Sequence, residues 1–215
     1  MKEEERRRII IGALRLLKRK YKADIHTFLD HSNPLELLVA TMLAAQSQDA
    51  QVNKVTPALF KRYGTIDKYA RAKPEDLYKY TRTLGLYKGK SNNIVNMAKM
   101  VKRDFGGRIP KTMAELTLLP GVGRKTANIV LYNAFGITEG IAIDTHCITV
   151  LNRLLLYGTT DAKKLEQEMM KIVPKSDWGD VTHLLIALGR DVCTAKVKYC
   201  KDCTLNRICP SSDVK

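Results

Sequence analysis

The sequence predicts an all-α protein, and three observations carry that prediction. Apolar residues recur at helical spacing nearly throughout the 215 residues. Residues suited to starting and stopping helices stand at the ends of those stretches. No run of alternating apolar and polar residues is long enough for a sheet, and Ile141-Ala142-Ile143 is at most a short extended link. The pattern divides into about ten short helices.

Ile10, Leu14, Leu17 and Tyr21 fall on one face of an N-terminal helix. Asn33 and Pro34 offer an N-cap and a first-turn proline for the next. Ser91 reads as the start of a helix carrying Ile94, Ala98, Val101 and Phe105, with Gly106-Gly107 as its stop. Thr112-Met113-Ala114-Glu115 matches a capping box for a short helix reaching Leu118. A longer helix spans Arg124 to Phe135, and Gly158 is a further stop. Ser176 is placed to cap the helix bearing Trp178, whose stripe is Val181, Leu185, Leu188 and Val192. These stripes are core faces. No solenoid repeat or low-complexity tract appears.

The length suffices for one large domain or two small ones with a core that needs no disulfides. At 45% hydrophobic residues the chain is not disordered by composition. It has no apolar run of about 18 residues, so a membrane span is not expected. The N-terminus leads straight into a helical pattern without a signal-peptide cleavage site, which points to a reducing, intracellular location. The 37 Lys and Arg outnumber the 22 Asp and Glu, giving a net charge of +15. A balance this basic favours a polyanionic partner, and nucleic acid is the commonest.

Four of the five cysteines, Cys193, Cys200, Cys203 and Cys209, form a C-x6-C-x2-C-x5-C array. In a reducing compartment such arrays bind metal more often than they form disulfides. One close pair flanked by longer arms leaves zinc and iron–sulfur both open. Cys147 reads as a small buried residue.

Between the two helices predicted around residue 120 lies Leu119-Pro120-Gly121-Val122-Gly123. Proline fixes one backbone angle, and the glycines permit a tight turn of bare backbone. The turn ends at a helix N-terminus, where N–H groups and the dipole favour an anion such as a DNA phosphate. A dinucleotide fingerprint is excluded because the third glycine is missing, and a P-loop because Gly-Lys-Thr is missing. A helix-hairpin-helix clamp remains, against an ordinary connector. Lys125 stands in the first turn of the second helix, against the dipole's preference, and is a candidate nucleophile or phosphate contact. Partial burial and the positive helix end are expected to make its amine more available.

LPGVGRKTANIVL followed by IAIDTH, the cysteine array and Leu43-Ala44-Ala45-Gln46-Ser47-Gln48-Asp49 together resemble the endonuclease III family of helix-hairpin-helix DNA glycosylases. The resemblance runs from about Pro34 to Cys209. It implies a base-excision-repair enzyme that removes oxidised pyrimidines and cuts abasic sites, and a [4Fe–4S] cluster on the four cysteines. It makes Lys125 the amine that attacks C1′, forms a Schiff base and cuts 3′ to the lesion by β-elimination. Asp144 becomes the second catalytic group, a carboxylate beside an oxocarbenium-like sugar; read alone, Asp144-Thr145-His146 is a helix N-cap.

The resemblance also makes Gln46 the residue that fills the gap left by a flipped base, and Leu86 the wedge in the opposite strand. Taken alone, Leu86 reads as core. Asp49 becomes a supporting or base-contacting residue. By charge and position Lys88 and Lys90, and the hairpin's Gly121, Gly123 and Arg124, are candidate phosphate contacts, and Lys196, Lys198, Lys201 and Arg207 of the cysteine loop are either DNA contacts or a solvated charged loop. The motifs depart from the family at Gln48, where threonine is commoner, and at His146-Cys147.

The implied partner is duplex DNA carrying damaged bases or abasic sites, bound by a monomer. The implied fold is two helical domains with a cleft between them: residues 28–137, and residues 1–27 joined to 138–215. A mismatch (uracil or thymine) glycosylase, and a non-catalytic DNA-binding module with a structural metal, stay open as alternatives.

Overall fold

The computed structural model describes residues 1–21 and 27–214. Among these lie eleven α-helices: α1 (Glu3–Lys20), α2 (Pro34–Ala44), α3 (Asp49–Arg62), α4 (Ile66–Arg71), α5 (Pro74–Thr81), α6 (Tyr87–Asp104), α7 (Met113–Leu116), α8 (Arg124–Phe135), α9 (Thr145–Leu155), α10 (Ala162–Ile172) and α11 (Trp178–Asp191). Single 3-10 turns occupy Lys175–Asp177 and Cys200–Asp202. No strand forms among the described residues, and the one isolated bridge pairs Cys193 with Lys198. None of the helices is long and apolar enough to cross a membrane. The backbone divides into two compact units, Thr27–Glu139 and Met1–His26 with Gly140–Lys215.

In the Thr27–Glu139 unit, α2 is the core. Leu35, Leu37, Leu38, Val39, Ala40, Met42 and Leu43 are all buried, the mark of a helix apolar on every side. It packs against α3, α6 and α8. Asn33 caps it by accepting a bond from the Glu36 N–H at 3.0 Å, with Pro34 in the first turn, as the sequence predicts.

Helix α6 starts at Tyr87, four residues ahead of the predicted Ser91. Ser91 lies inside the helix, fully buried and hydrogen-bonded to Thr81 at 3.1 Å. A serine inside a helix with a buried partner reads in sequence like a cap, and only packing separates the two. Gly107 closes α6 by donating to the Val101 carbonyl at 3.0 Å. Helix α7 is shorter than predicted. Its box is half formed: Thr112 Oγ1 accepts from the Glu115 N–H and donates to the Glu115 carboxylate.

In the other unit, α1 packs against α9, α10 and α11 through the predicted stripe of Ile10, Leu14, Leu17 and Tyr21. The stripe of α11 is likewise buried. Ser176 does not cap α11, because it sits inside the 3-10 turn that precedes the helix. Gly158 does not stop α9, which ends on Leu156 in the left-handed conformation at φ +51°. The link at residues 141–143 is extended and buried. Ile141 N–H donates to Glu166 and the Thr182 hydroxyl donates to the Ala142 carbonyl.

Candidate functional site

The turn before α8 follows from its sequence. Val122 N–H donates to the Leu119 carbonyl at 3.0 Å, closing a β-turn with Pro120 and Gly121 at its centre. Gly121 has φ +78°, which that turn demands of its third residue. A Cβ there would also lie 2.7 Å from Asn93 Nδ2, so glycine is required for space as well as conformation. Gly123 is the N-cap of α8 and brings no side chain to cap it. Gly121, Gly123 and Arg124 are all exposed, giving a bare, positive helix start suited to a phosphate. Lys125 occupies the next position and is exposed. The expected partial burial is therefore corrected: Lys125 stands in the first turn of a surface helix and is exposed.

A second pair of turns lies in the same unit. Gln46 and Leu86 are two of the three described non-glycine residues with positive φ, at +54° and +57°. Neither has the short polar side chain that eases this conformation, and such strain concentrates at functional positions. Both are exposed, Leu86 by 67%, so the core reading of that leucine fails. The turns lie side by side, since a Cβ on Gly85 would be in ordinary contact with the Gln46 carbonyl oxygen at 3.5 Å. Gln46, Leu86, Lys88, Asn93 and Gly121 line one largely apolar pocket of about 530 Å³. Lys88 is exposed at its rim, and Asp49 opens α3 half-buried.

Lys90 is not a surface contact. It is 7% exposed, and its ammonium donates to the Leu43 carbonyl at 2.8 Å and the Ser47 hydroxyl at 2.7 Å. Burial pushes its pKa below the usual lysine value. One turn into α6, the helix face turns it inward toward the end of α2, whereas Lys88 faces out.

Asp144 belongs to the other unit. It caps α9, its Oδ1 accepting from the Cys147 N–H at 2.8 Å, so the cap reading holds and fixes the carboxylate. Gly189 of α11 faces the His146 side chain, where a Cβ would come within 3.0 Å. Cys147 is fully buried, as predicted.

The four cysteines of the array are free thiols on one loop, each part-buried. Cys193 follows α11 directly, and its N–H donates to the Leu188 carbonyl at 2.9 Å. Arg153 donates to Cys193 Sγ at 3.2 Å and to the Thr194 carbonyl at 2.7 Å. Leu205 N–H points at Cys203 Sγ at 3.4 Å. Burial pushes the Cys203 and Cys209 thiols up, and charge on the neighbouring array cysteines pushes them further. The four are thus within electrostatic reach of one another. Among the described residues no three His, Cys, Asp or Glu side chains are gathered closely enough to hold a single metal ion. Half-buried thiols whose ionisation is opposed by burial, with N–H donors aimed at two of the sulfurs, form a donor set that a positive centre would stabilise as thiolates.

Lys196, Lys201 and Arg207 are exposed on this loop. Lys198 is not available in the same way. Its ammonium is held by Asp213 at 2.6 Å and by the Ser211 carbonyl at 2.7 Å, which closes the loop's two ends.

The sequence reading missed three participants: Asn93 against the hairpin, Ser47 on Lys90, and Arg153 on Cys193. Ser47 stood inside a quoted motif without a role. Asn93 and Arg153 carried no local signal, because their partners are 28 and 40 positions away in sequence.

Residues 39–175 match the family described as HhH-GPD superfamily base excision DNA repair protein. Endonuclease III of Synechocystis sp. is 41% identical over 86% of this chain and 84% of that relative. Endonuclease III of Bacillus subtilis is 43% identical over 83% of this chain and 82% of its own length. The solved structure of a trapped endonuclease III–DNA covalent intermediate, an estranged-adenine complex, superposes with a TM-score of 0.89 at 38% identity, covering 98% of this chain and 97% of that one. The family match over residues 39–175, with 41% and 43% identity across more than four fifths of these relatives, means that this chain belongs to the endonuclease III family of the HhH-GPD superfamily.

Proposed function

We propose that this chain is a bifunctional DNA glycosylase and abasic-site lyase that removes oxidised pyrimidines from duplex DNA. The observation that carries the reading is Lys125, exposed at the second position of a helix whose uncapped start follows the Gly121–Gly123 turn. A phosphate seated on that helix end would bring a neighbouring sugar within reach of the amine.

The neutral Lys125 amine attacks C1′, the C1′–base bond breaks, and its electron pair leaves with the base, which takes up a proton. Transfer of one amine proton to O4′ as the C1′–O4′ bond breaks opens the sugar and gives a protonated Schiff base. The iminium acidifies the C2′ proton, whose removal expels the 3′ phosphate and cuts the strand. Water then releases the lysine. Asp144, held by its cap bond, supplies negative charge to the developing oxocarbenium-like sugar.

Extrusion of the base falls to Gln46 and Leu86. An exposed leucine in a strained turn replaces lost stacking, and the Gln46 amide bonds the orphaned base. Gly121, Gly123, Arg124 and Lys88 hold the backbone, and Lys196, Lys201 and Arg207 add affinity without sequence preference. Asp49, half-buried at the start of α3, would act as a supporting or base-contacting residue. The thiols of Cys193, Cys200, Cys203 and Cys209 would hold a [4Fe–4S] cluster, a fit supported by four half-buried cysteines on one loop with N–H donors aimed at Cys193 and Cys203. Such a cluster would tie the basic loop into one shape and takes no part in glycosidic cleavage. Iron and acid-labile sulfide in equal amounts in anaerobically purified protein are the expected result, and zinc in their place would overturn that assignment.

Borohydride trapping on a duplex with one thymine glycol, wild type against Lys125→Ala, tests the chemistry. An adduct with wild type alone is expected. Adducts in both proteins would move the nucleophile elsewhere, and none in either, despite binding, would leave a DNA-binding module.

A further inference from the structure

We infer that Lys90 is a positioning residue for base extrusion, a buried clip that holds the Gln46 and Leu86 turns in their left-handed conformations. The inference rests on the reading of those two residues as the groups that enter the duplex.

Lysine is almost never fully buried without a carboxylate, because water solvates an ammonium far better than a protein interior does. Here both acceptors are neutral. They flank Gln46: the Leu43 carbonyl in the last turn of α2, and the Ser47 hydroxyl one residue beyond the strained position. A helix's last carbonyls have no partner within the helix, so Leu43 can accept this bond. The same lysine's backbone N–H donates to the carbonyl of Leu86 at 3.0 Å, forming the first helical bond behind the other strained residue. One residue therefore bonds both turns, through its side chain on one side and its main chain on the other. The turns also touch, with Gly85 against the Gln46 carbonyl oxygen, and Lys90 lines the pocket that Gln46 and Leu86 share. A buried cation costs stability, and the downward push on its pKa agrees with that cost. A methionine would fill the same space more cheaply, but it offers no donor, and the Gln46 turn could then relax to ordinary backbone angles.

The test compares wild type, Lys90→Met, Ser47→Ala and Leu86→Ala on one abasic site, set in a duplex and in single-stranded DNA. Nicking of the single strand requires no extrusion, so the ratio of duplex to single-strand kcat/KM isolates the positioning step. 2-Aminopurine opposite the site reports insertion directly. Lys90→Met is expected to lower the ratio by about tenfold. Ser47→Ala, which removes one of two acceptors, should lower it less, and both should weaken the fluorescence change. Equal losses on both substrates would mean a merely structural lysine and overturn the inference. A lowered ratio in Leu86→Ala with unchanged ratios in the other two would also overturn it, while leaving the wedge intact. An unchanged ratio in Leu86→Ala would sink the wedge reading itself. If Lys90→Met does not fold, Ser47→Ala decides between these outcomes.

Discussion

Replacing Gly121 by alanine tests how the hairpin is built. The substitution adds one methyl group to an exposed turn, which composition alone would treat as harmless. The structure assigns it two separate costs. Gly121 has φ +78°, and a non-glycine residue in that region loses roughly 1–2 kcal/mol. The new Cβ would also lie 2.7–2.9 Å from three atoms of the Asn93 side chain. Pushing Asn93 off its rotamer adds about 0.5–1.5 kcal/mol. Together the loss is about 1.5–3.5 kcal/mol. Urea unfolding of Gly121→Ala, Asn93→Ala and the double variant separates the two costs. Asn93→Ala removes the Nδ2 and Cγ contacts but keeps the Asn93 Cβ at 2.8 Å, so in that background the cost should fall by about 0.5–1.5 kcal/mol and the conformational part should survive. Affinity for an abasic duplex should fall too, since the turn presents the backbone that receives phosphate. A cost within 0.5 kcal/mol of zero, a noise-level value for surface changes, would refute the strain argument. The same cost with and without the Asn93 amide would refute the contact.

Asp144 combines a cap with a charge, and two variants divide them. Asp144→Asn keeps a good N-cap and should change stability little while abolishing most base removal; Asp144→Ala should in addition lose about 1 kcal/mol on urea unfolding. Equal activity in Asp144→Asn and wild type would remove the charge from the mechanism. Lys20 and the Tyr21 hydroxyl bond Asp191 and hold its carboxyl below the usual range, tying the end of α1 to the end of α11. A depressed folded pKa means stability present above the unfolded carboxylate value, about 3.9, and lost as pH falls through the folded one. The stability gap between wild type and Asp191→Asn should therefore be largest near neutral pH and shrink below about pH 4, and a gap constant to pH 2 would count against the pairing.

Several readings that depend only on neighbours in the chain held, although the helix start at Ser91, the cap at Ser176 and the stop at Gly158 did not. The turn at Leu119–Gly123, the bounds of α8, the cap at Asp144 and the buried stripes of α1 and α11 each depend on residues within a few positions. Capping, turn formation and helical periodicity are local physics, and their signals are written locally. The four cysteines were legible for the same reason, being close together in sequence.

The misreadings share a cause as well. Lys88 and Lys90 are two positions apart in one basic, glycine-containing stretch, and nothing local tells which of them meets solvent. Leu86 looks like core until the left-handed turn that exposes it is seen, and Lys198 looks like a DNA contact until Asp213 is found beside it. The helical class, the turn before α8 and the spacing of the four cysteines could be read from the chain alone, because each rests on residues close together in sequence. Packing alone set which cations are buried or paired, the left-handed turns at Gln46 and Leu86, and the contacts of Asn93 with the hairpin and Arg153 with the cysteine loop. Burial and pairing depend on which distant segments meet, and that meeting is settled by the packing of whole helices, which no window of the chain contains.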